Sequence, residues 1–199
     1  MSVTGSKNKQ APLFNIANVL TVIRLVLVPV FVCVVWTDSD PRRWWGWAVF
    51  AVAAFTDKLD GYLARSRNLI TDFGKLADSI ADKALIIAAL LLLSVHGYLW
   101  WWVTVVFIVR ELGITAMRMN MRHIKVMAAG RGGKVKMFAQ SMGIAGLLIP
   151  WHTVFPSSVA AALVYISYAC IAIGLYYALS SAYEYVNEAV NLIRAAKKR

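Results

Sequence analysis

Six long apolar segments, separated by short polar stretches, make up most of this 199-residue chain. They cover residues 16–36, 45–63, 75–95, 99–119, 135–151 and 159–183. Each is close to about 20 residues, the length that an α-helix needs to cross the hydrocarbon of a bilayer. Tryptophans cluster beside the second and fourth segments, as they do at membrane–water interfaces. The pattern therefore predicts an all-α integral membrane protein, a bundle of six transmembrane helices.

Composition agrees with this prediction. The chain is 60% hydrophobic and 16% charged, whereas about 25% of the residues in soluble domains are charged. Its length suits one domain. We expect a polar lead at residues 1–14, a six-helix catalytic domain at 15–185, and a basic cytoplasmic tail at 186–199.

The formal net charge of +11 is unevenly distributed along the chain. Six spans place both termini on one side, together with the loops after the second and fourth spans, and nearly all Lys and Arg fall there. The opposite loops hold only Arg42 and Arg43. The positive-inside rule then predicts a multi-pass protein of the cell (inner) membrane with cytoplasmic termini. Anionic lipid headgroups explain the charge, and no basic soluble module is present to bind nucleic acid.

Five of the ten acidic residues lie within residues 57–82. Asp57 and Asp60 are three apart and Asp78 and Asp82 are four apart, so each pair shares a helix face. If the two helices are antiparallel, four carboxylates converge and cannot all stay ionised without cations. Carboxylate oxygens are the ligands that Mg²⁺ prefers. The segment predicts a metal site of one or two ions, and a solvated helix face is the alternative.

Eight positions of the same segment follow one signature: Asp57-x2-Asp60-Gly61-x2-Ala64-Arg65, eight further residues, then Gly74-x3-Asp78-x3-Asp82. This signature resembles that of the CDP-alcohol phosphotransferase family. The resemblance implies that family's helical bundle and the transfer of a phosphatidyl group from CDP-diacylglycerol to an alcohol, with release of CMP. The implied cofactor is Mg²⁺ or Mn²⁺, with two ions clamping the reacting oxygens.

Site residues follow from the residue types together with the resemblance. The expected metal ligands are Asp57, Asp60, Asp78 and Asp82. By resemblance, Asp82 is also the general base that takes the proton from the acceptor hydroxyl.

The CDP-diacylglycerol contacts are expected at small, hydroxylated and cationic positions around the motif. Gly61 and Ala64 leave room on one helix face, and Arg65 suits phosphate oxygens. By resemblance, Gly61, Arg65 and Thr71 contact the CDP group, and Thr21 joins them. Thr21 lies with Asn18 and Arg24 on a polar stripe of the first span. Spacing alone supports equally a stripe that faces the site and an interfacial helix start with a snorkelling arginine.

Cations of the fourth and fifth spans are candidates for binding the phosphate of an acceptor. They are Arg110, Arg118, Lys134 and Lys136. Topology and lipid headgroups are an equally good explanation for the lysines. Adjacent residues do not face each other on a helix, so Glu111 need not neutralise Arg110.

A closer resemblance covers most of the chain. The segments NIANVLTVIRLVLVPV, DFGKLADSIADK, VRELGITAMR and GGKVKMFAQ are similar to those of phosphatidylglycerophosphate synthases. This implies sn-glycerol 3-phosphate as the acceptor. Two departures are Ser79, where that group commonly has proline, and the glycine-rich GRGGKVK.

Other functions are compatible with the same residues. The same chemistry can serve inositol phosphate, or phosphatidylglycerol in cardiolipin synthesis. Intramembrane carboxylates also mark divalent-cation transporters, but here they cluster at one end of two helices. A non-catalytic lipid-binding scaffold is a third alternative. Membrane lipids are expected partners, and the sequence allows a homodimer.

Overall fold

The computed structural model describes the backbone of residues 16–66, 72–121 and 131–197. Within these helices, the side chains at 16–18, 58–66, 72–79, 118, 120–121, 131 and 192–197 are not described. The described residues form six α-helices and no strand. The helices are α1 (Ile16–Val35), α2 (Asp40–Ser66), α3 (Asp72–Val95), α4 (Trp101–Met121), α5 (Arg131–Leu148) and α6 (Ser157–Lys197). A 3-10 helix, Trp151–Thr153, lies between α5 and α6.

The six helices correspond in order to the six apolar segments, and the two largest differences are at the start of α2 and the end of α6. Helix α2 begins at Asp40 rather than near Trp45, because Pro41 falls in the first turn, where its missing N–H costs nothing. Residues 40–43, between the first and second apolar segments, are therefore helical. Helix α6 continues to Lys197, so the backbone does not break where the basic tail was expected to begin.

One hydrophobic core joins all six helices. Its largest fully buried members are Phe31, Phe50, Leu90, Phe107, Ile144 and Leu148, each at most 2% exposed. Helices α5 and α6 pack closely because glycines lie between them. A Cβ on Gly143 would stand 2.7 Å from Ile171 Cγ1 and 2.9 Å from the Ile171 backbone nitrogen. Helix α1 packs against α2 and α3, which carry the aspartates.

The turn between α3 and α4 closes the end of the bundle opposite the motif aspartates of α2 and α3. Gly97 adopts φ +77°, a conformation that glycine takes at no steric cost. The next residue, Tyr98, donates its hydroxyl to Asp38 Oδ2 at 2.9 Å. Burial and then this hydrogen bond raise the pKa of Tyr98 above its usual value.

The outer surface of the bundle is rich in large apolar side chains. Val109, Tyr165 and Tyr176 are each at least 65% exposed, and extensive exposed apolar surface is typical of lipid or protein contact. Among the described residues, one helical stretch, Ser157–Asn191, is long and apolar enough to cross a membrane. The apolar part of α1, Val19–Val35, is shorter. The arrangement of six spans stays a prediction.

Candidate active site

The polar stripe of α1 faces α2. Arg24 is fully buried, and its Nη1 lies 2.8 Å from Oδ1 of Asp57, whose side chain is 26% exposed. Thr21, one turn earlier on the same helix, is 4% exposed. An arginine that snorkels to the surface would be exposed, so the structure favours the alternative in which this stripe faces the aspartate motif.

The remaining motif positions are placed by backbone only. Asp60, Gly61, Ala64 and Arg65 belong to α2, and Asp78 belongs to α3; their side chains lie outside the described set. Thr71 lies outside the described residues altogether. The convergence of four carboxylates therefore stays a prediction. Among the side chains that the structure does describe, no three His, Cys, Asp or Glu residues gather as metal ligands.

Asp82, on α3, lies within electrostatic range of Lys136 on α5. Asp82 is half-buried, and Lys136 is 5% exposed. A lysine so deeply buried needs carboxylate partners, because an isolated charge is costly to remove from water. Glu111 supplies the main compensating charge, and Asp82 adds a smaller attraction.

Glu111 binds both neighbouring cations, including Arg110, a contact that adjacency in sequence did not require. Its Oε1 accepts a hydrogen bond from Arg110 Nη1 at 3.0 Å and another from Lys136 Nζ. The rule for adjacent residues describes where side chains leave the helix. Long side chains can bend back towards one another, and here a third group on α5 stabilises that arrangement.

Helix α6 completes this network. Arg110 Nε donates to the carbonyl of Ala178 at 3.2 Å, and Arg110 Nη2 donates to Ser181 Oγ at 2.7 Å. Ser181 is 4% exposed. Each of the three nitrogens of the Arg110 guanidinium therefore has a partner, and the side chain is held in one orientation. Nothing in the sequence around Ser181 indicated this role, since it depends on how α4 and α6 pack.

Among the side chains that the structure describes, no contact links this network to the other two cations predicted to bind the acceptor phosphate. Lys134 is exposed. Arg118 lies on α4, two turns after Arg110, but its side chain is not described. The structure thus brings Arg110 and Lys136 together through Glu111, and it does not bring Lys134 into that network.

The donor set fits a divalent cation. Asp57 and Asp82 supply carboxylate oxygens, the ligand type that hard cations take, on two helices that both pack against α1. The ion pair with Arg24 engages one oxygen of Asp57, and a carboxylate has about four lone-pair positions. The ion pair by itself therefore leaves room for coordination.

Comparison with known proteins decides the family. The model of the family described as CDP-alcohol phosphatidyltransferase matches residues 14–176, well over half of the chain. The chain belongs to the CDP-alcohol phosphatidyltransferase family. Members of this family are membrane-associated and generally use divalent metal ions. The membership confirms the predicted enzyme class and sets the transporter and scaffold alternatives aside.

Several curated relatives in this family share one activity in their names. The chain is 43% identical over 150 residues to a protein of Mycobacterium tuberculosis named probable phosphatidylglycerophosphate synthase, covering 74% of this chain and 72% of the relative. It is 41% identical over 144 residues to the CDP-diacylglycerol–glycerol-3-phosphate 3-phosphatidyltransferase of Escherichia coli, covering 68% and 77%. The Bacillus subtilis protein of that name is 35% identical over 150 residues, covering 69% and 78%.

Proposed function

We propose that this protein transfers the phosphatidyl group of CDP-diacylglycerol to sn-glycerol 3-phosphate, giving phosphatidylglycerophosphate and CMP. The observation that carries the choice of acceptor is the name shared by relatives from three genera, at 35–43% identity over most of the chain. A buried cation on α5, Lys136, supports a phosphorylated acceptor, because its charge interacts weakly with that of Asp82.

Asp82 is the proposed general base. Its carboxylate takes the proton from the acceptor hydroxyl, and the acceptor oxygen forms a new bond to the phosphatidyl phosphorus. The bond between that phosphorus and the bridging pyrophosphate oxygen breaks, and CMP leaves with the bonding electrons. General-base catalysis of this kind contributes about 10²–10⁴-fold to rate.

Metal ions are proposed at the four motif aspartates, Asp57, Asp60, Asp78 and Asp82. The carboxylate chemistry suits Mg²⁺ or Mn²⁺, and two ions are the proposed number. When bound, the metal neutralises negative charge on the pyrophosphate and on the leaving phosphate. Arg24 contributes by holding the Asp57 carboxylate in a fixed position through its buried ion pair.

The nucleotide is proposed to lie along the first half of the motif. Gly61 and Ala64 leave space against α2, Arg65 binds phosphate oxygens, and Thr21 and Thr71 donate hydrogen bonds. Support for Thr21 comes from its burial on the α1 stripe that faces α2. The acyl chains of the donor would lie in the bilayer between helices.

The phosphate of the acceptor is proposed to bind the cations of α4 and α5, namely Arg110, Arg118, Lys134 and Lys136. Arg110 and Lys136 already converge on Glu111. A phosphate that reaches these cations must share them with Glu111 or displace it. Their positions are therefore set in advance, which lowers the entropy lost when the acceptor binds.

The proposed setting is a cell membrane that the six helices cross, with the termini and the active site on the cytoplasmic side. Support comes from the outward-facing apolar side chains of the bundle and from the distribution of Lys and Arg. A homodimer is an assembly that the sequence allows.

An acceptor panel tests the proposal. Purified protein receives CDP-diacylglycerol with glycerol 3-phosphate, inositol phosphate or phosphatidylglycerol, each with and without a chelator. Phosphatidylglycerophosphate should form in the first reaction alone and only without the chelator. Cardiolipin or phosphatidylinositol phosphate as the main product would keep the chemistry and reject the acceptor.

A further inference from the structure

A cavity of about 360 Å³ lies at the end of the bundle away from the motif aspartates. Its volume falls within the range of small-molecule sites, about 300–1,000 Å³. Arg43, Tyr98, His152, Ser157 and Tyr168 supply its polar groups, and side chains of α5 and α6 supply an apolar wall. Arg43 precedes Asp57 by 14 residues on α2, which is about 21 Å along a helix.

Arg43 is the unusual member of this cavity, because it is buried without a counter-charge. It is 9% exposed. Nη2 donates to the carbonyls of Leu147 at 2.9 Å and Ile149 at 3.4 Å, and the guanidinium carbon lies 4.1 Å from the centre of the Tyr98 ring. These partners are all neutral. Among the described residues, no carboxylate forms an ion pair with Arg43.

The acids of the same region have other partners. Asp38 accepts the hydroxyl of Tyr98, and Asp40 Oδ2 lies 3.0 Å from His152 Nε2. A buried charge whose partners are all neutral is costly. The positive charge of Arg43 therefore favours an anion in the adjoining cavity.

The first turn of α6 adds to this preference. Ser157 begins this 41-residue helix and lines the cavity, and the first turn holds no acidic side chain. The N-terminus of a helix carries partial positive charge and unsatisfied N–H groups, which favour phosphate. The apolar wall, formed by residues such as Leu147, Ala161 and Val164, suits the glycerol and upper acyl region of a lipid.

We infer that this cavity is a second binding site, for the phosphate group of an anion that a phospholipid headgroup or free phosphate can supply. Arg43 provides the charge, the start of α6 provides backbone donors, and the apolar wall favours the lipid source. The site is separate from the proposed catalytic end and does not depend on the proposed reaction.

Ser157 offers the sharpest test, because it is exposed at a helix start where an acidic side chain is well tolerated. Ser157→Asp places a carboxylate in the cavity wall, and Ser157→Asn matches its size without charge. The thermal unfolding midpoint of the full-length protein in detergent is measured against dioleoyl phosphatidylglycerol, dioleoylglycerol and inorganic phosphate. Binding to the folded state raises this midpoint with ligand concentration.

Wild type and Ser157→Asn should bind phosphatidylglycerol equally, and Ser157→Asp should bind it on the order of tenfold more weakly. Dioleoylglycerol, which lacks the phosphate, should give no difference between the two variants. A difference with inorganic phosphate as well would support the phosphate site and identify the free anion as a source. Equal binding of phosphatidylglycerol and of phosphate by Ser157→Asp and Ser157→Asn would overturn the inference.

Arg43 gives an independent comparison with its exposed neighbour. Arg43→Gln removes the buried charge and keeps a donor for the two carbonyls, whereas Arg42→Gln removes the same charge from the surface. Weaker phosphatidylglycerol binding in Arg43→Gln alone is expected. Equal loss in both variants would mean a general charge effect and would contradict the site.

Discussion

Arg24 Nη1 lies 2.8 Å from Asp57 Oδ1, and the arginine that makes this contact is completely buried between α1 and the motif helix α2. The ion pair ties the polar stripe of α1 to the first aspartate of the motif. It gives Arg24 a positioning role at the proposed metal site, which a surface arginine would not have.

Replacement of Arg24 tests this role. Arg24→Met leaves the Asp57 carboxylate without its cation and should lower the free energy of unfolding by about 2 kcal/mol. Breaking a fully buried pair costs about 3–5 kcal/mol, and the loss here should be smaller because Asp57 is partly exposed. Arg24→Lys keeps the charge, so its free energy of unfolding should fall by less. Denaturant unfolding in detergent measures both. Wild-type stability in Arg24→Met would show that the ion pair contributes nothing.

Asp82→Asn removes the proposed base and should reduce turnover by at least about 100-fold. Binding of CDP-diacylglycerol should change far less, since the amide keeps the size of the side chain. Asp38→Asn, at the other end of the bundle beside Tyr98, is the matched control and should keep its turnover. Near-normal turnover in Asp82→Asn would remove Asp82 from the base role.

Lys136→Met should raise the KM for glycerol 3-phosphate on the order of 10- to 100-fold, the range expected for loss of one charged hydrogen bond. The KM for CDP-diacylglycerol should stay close to wild type. Lys134→Met changes an exposed neighbour and should have a smaller effect. Steady-state kinetics, with each substrate varied in turn, measure the KM of each variant for both substrates. Equal effects on both substrates would argue for a structural role of Lys136 alone.

Gly143→Ala should destabilise the packing of α5 on α6. The added Cβ would stand 2.9 Å from a backbone nitrogen of Ile171, and overpacking of this kind costs about 1–3 kcal/mol. Gly133→Ala, where a Cβ meets nothing within 4 Å, should be neutral or slightly stabilising because alanine favours helix. Thermal unfolding of the two variants gives the comparison, and equal midpoints would contradict the close packing.

The helices were predictable because apolar length and the placement of aromatic residues are local properties of the sequence. The spacing of Thr21 and Arg24 showed that they share a stripe, but only the packing of α1 on α2 revealed which helix the stripe faces. The contact between Glu111 and Lys136 was not predictable, since Lys136 on α5 is 25 residues away. Arg43 was interpreted from sequence as a topology marker, and its carbonyl partners are more than 100 residues away.

The most direct test of the account is the fate of both products in one reaction. Purified protein receives CDP-diacylglycerol and labelled glycerol 3-phosphate with Mg²⁺, and the labelled lipid and the released CMP are counted together. We predict equal amounts of phosphatidylglycerophosphate and CMP, loss of both with a chelator, and recovery when Mg²⁺ is restored. CMP release without labelled lipid, or transfer that persists after complete removal of metal, would contradict the account.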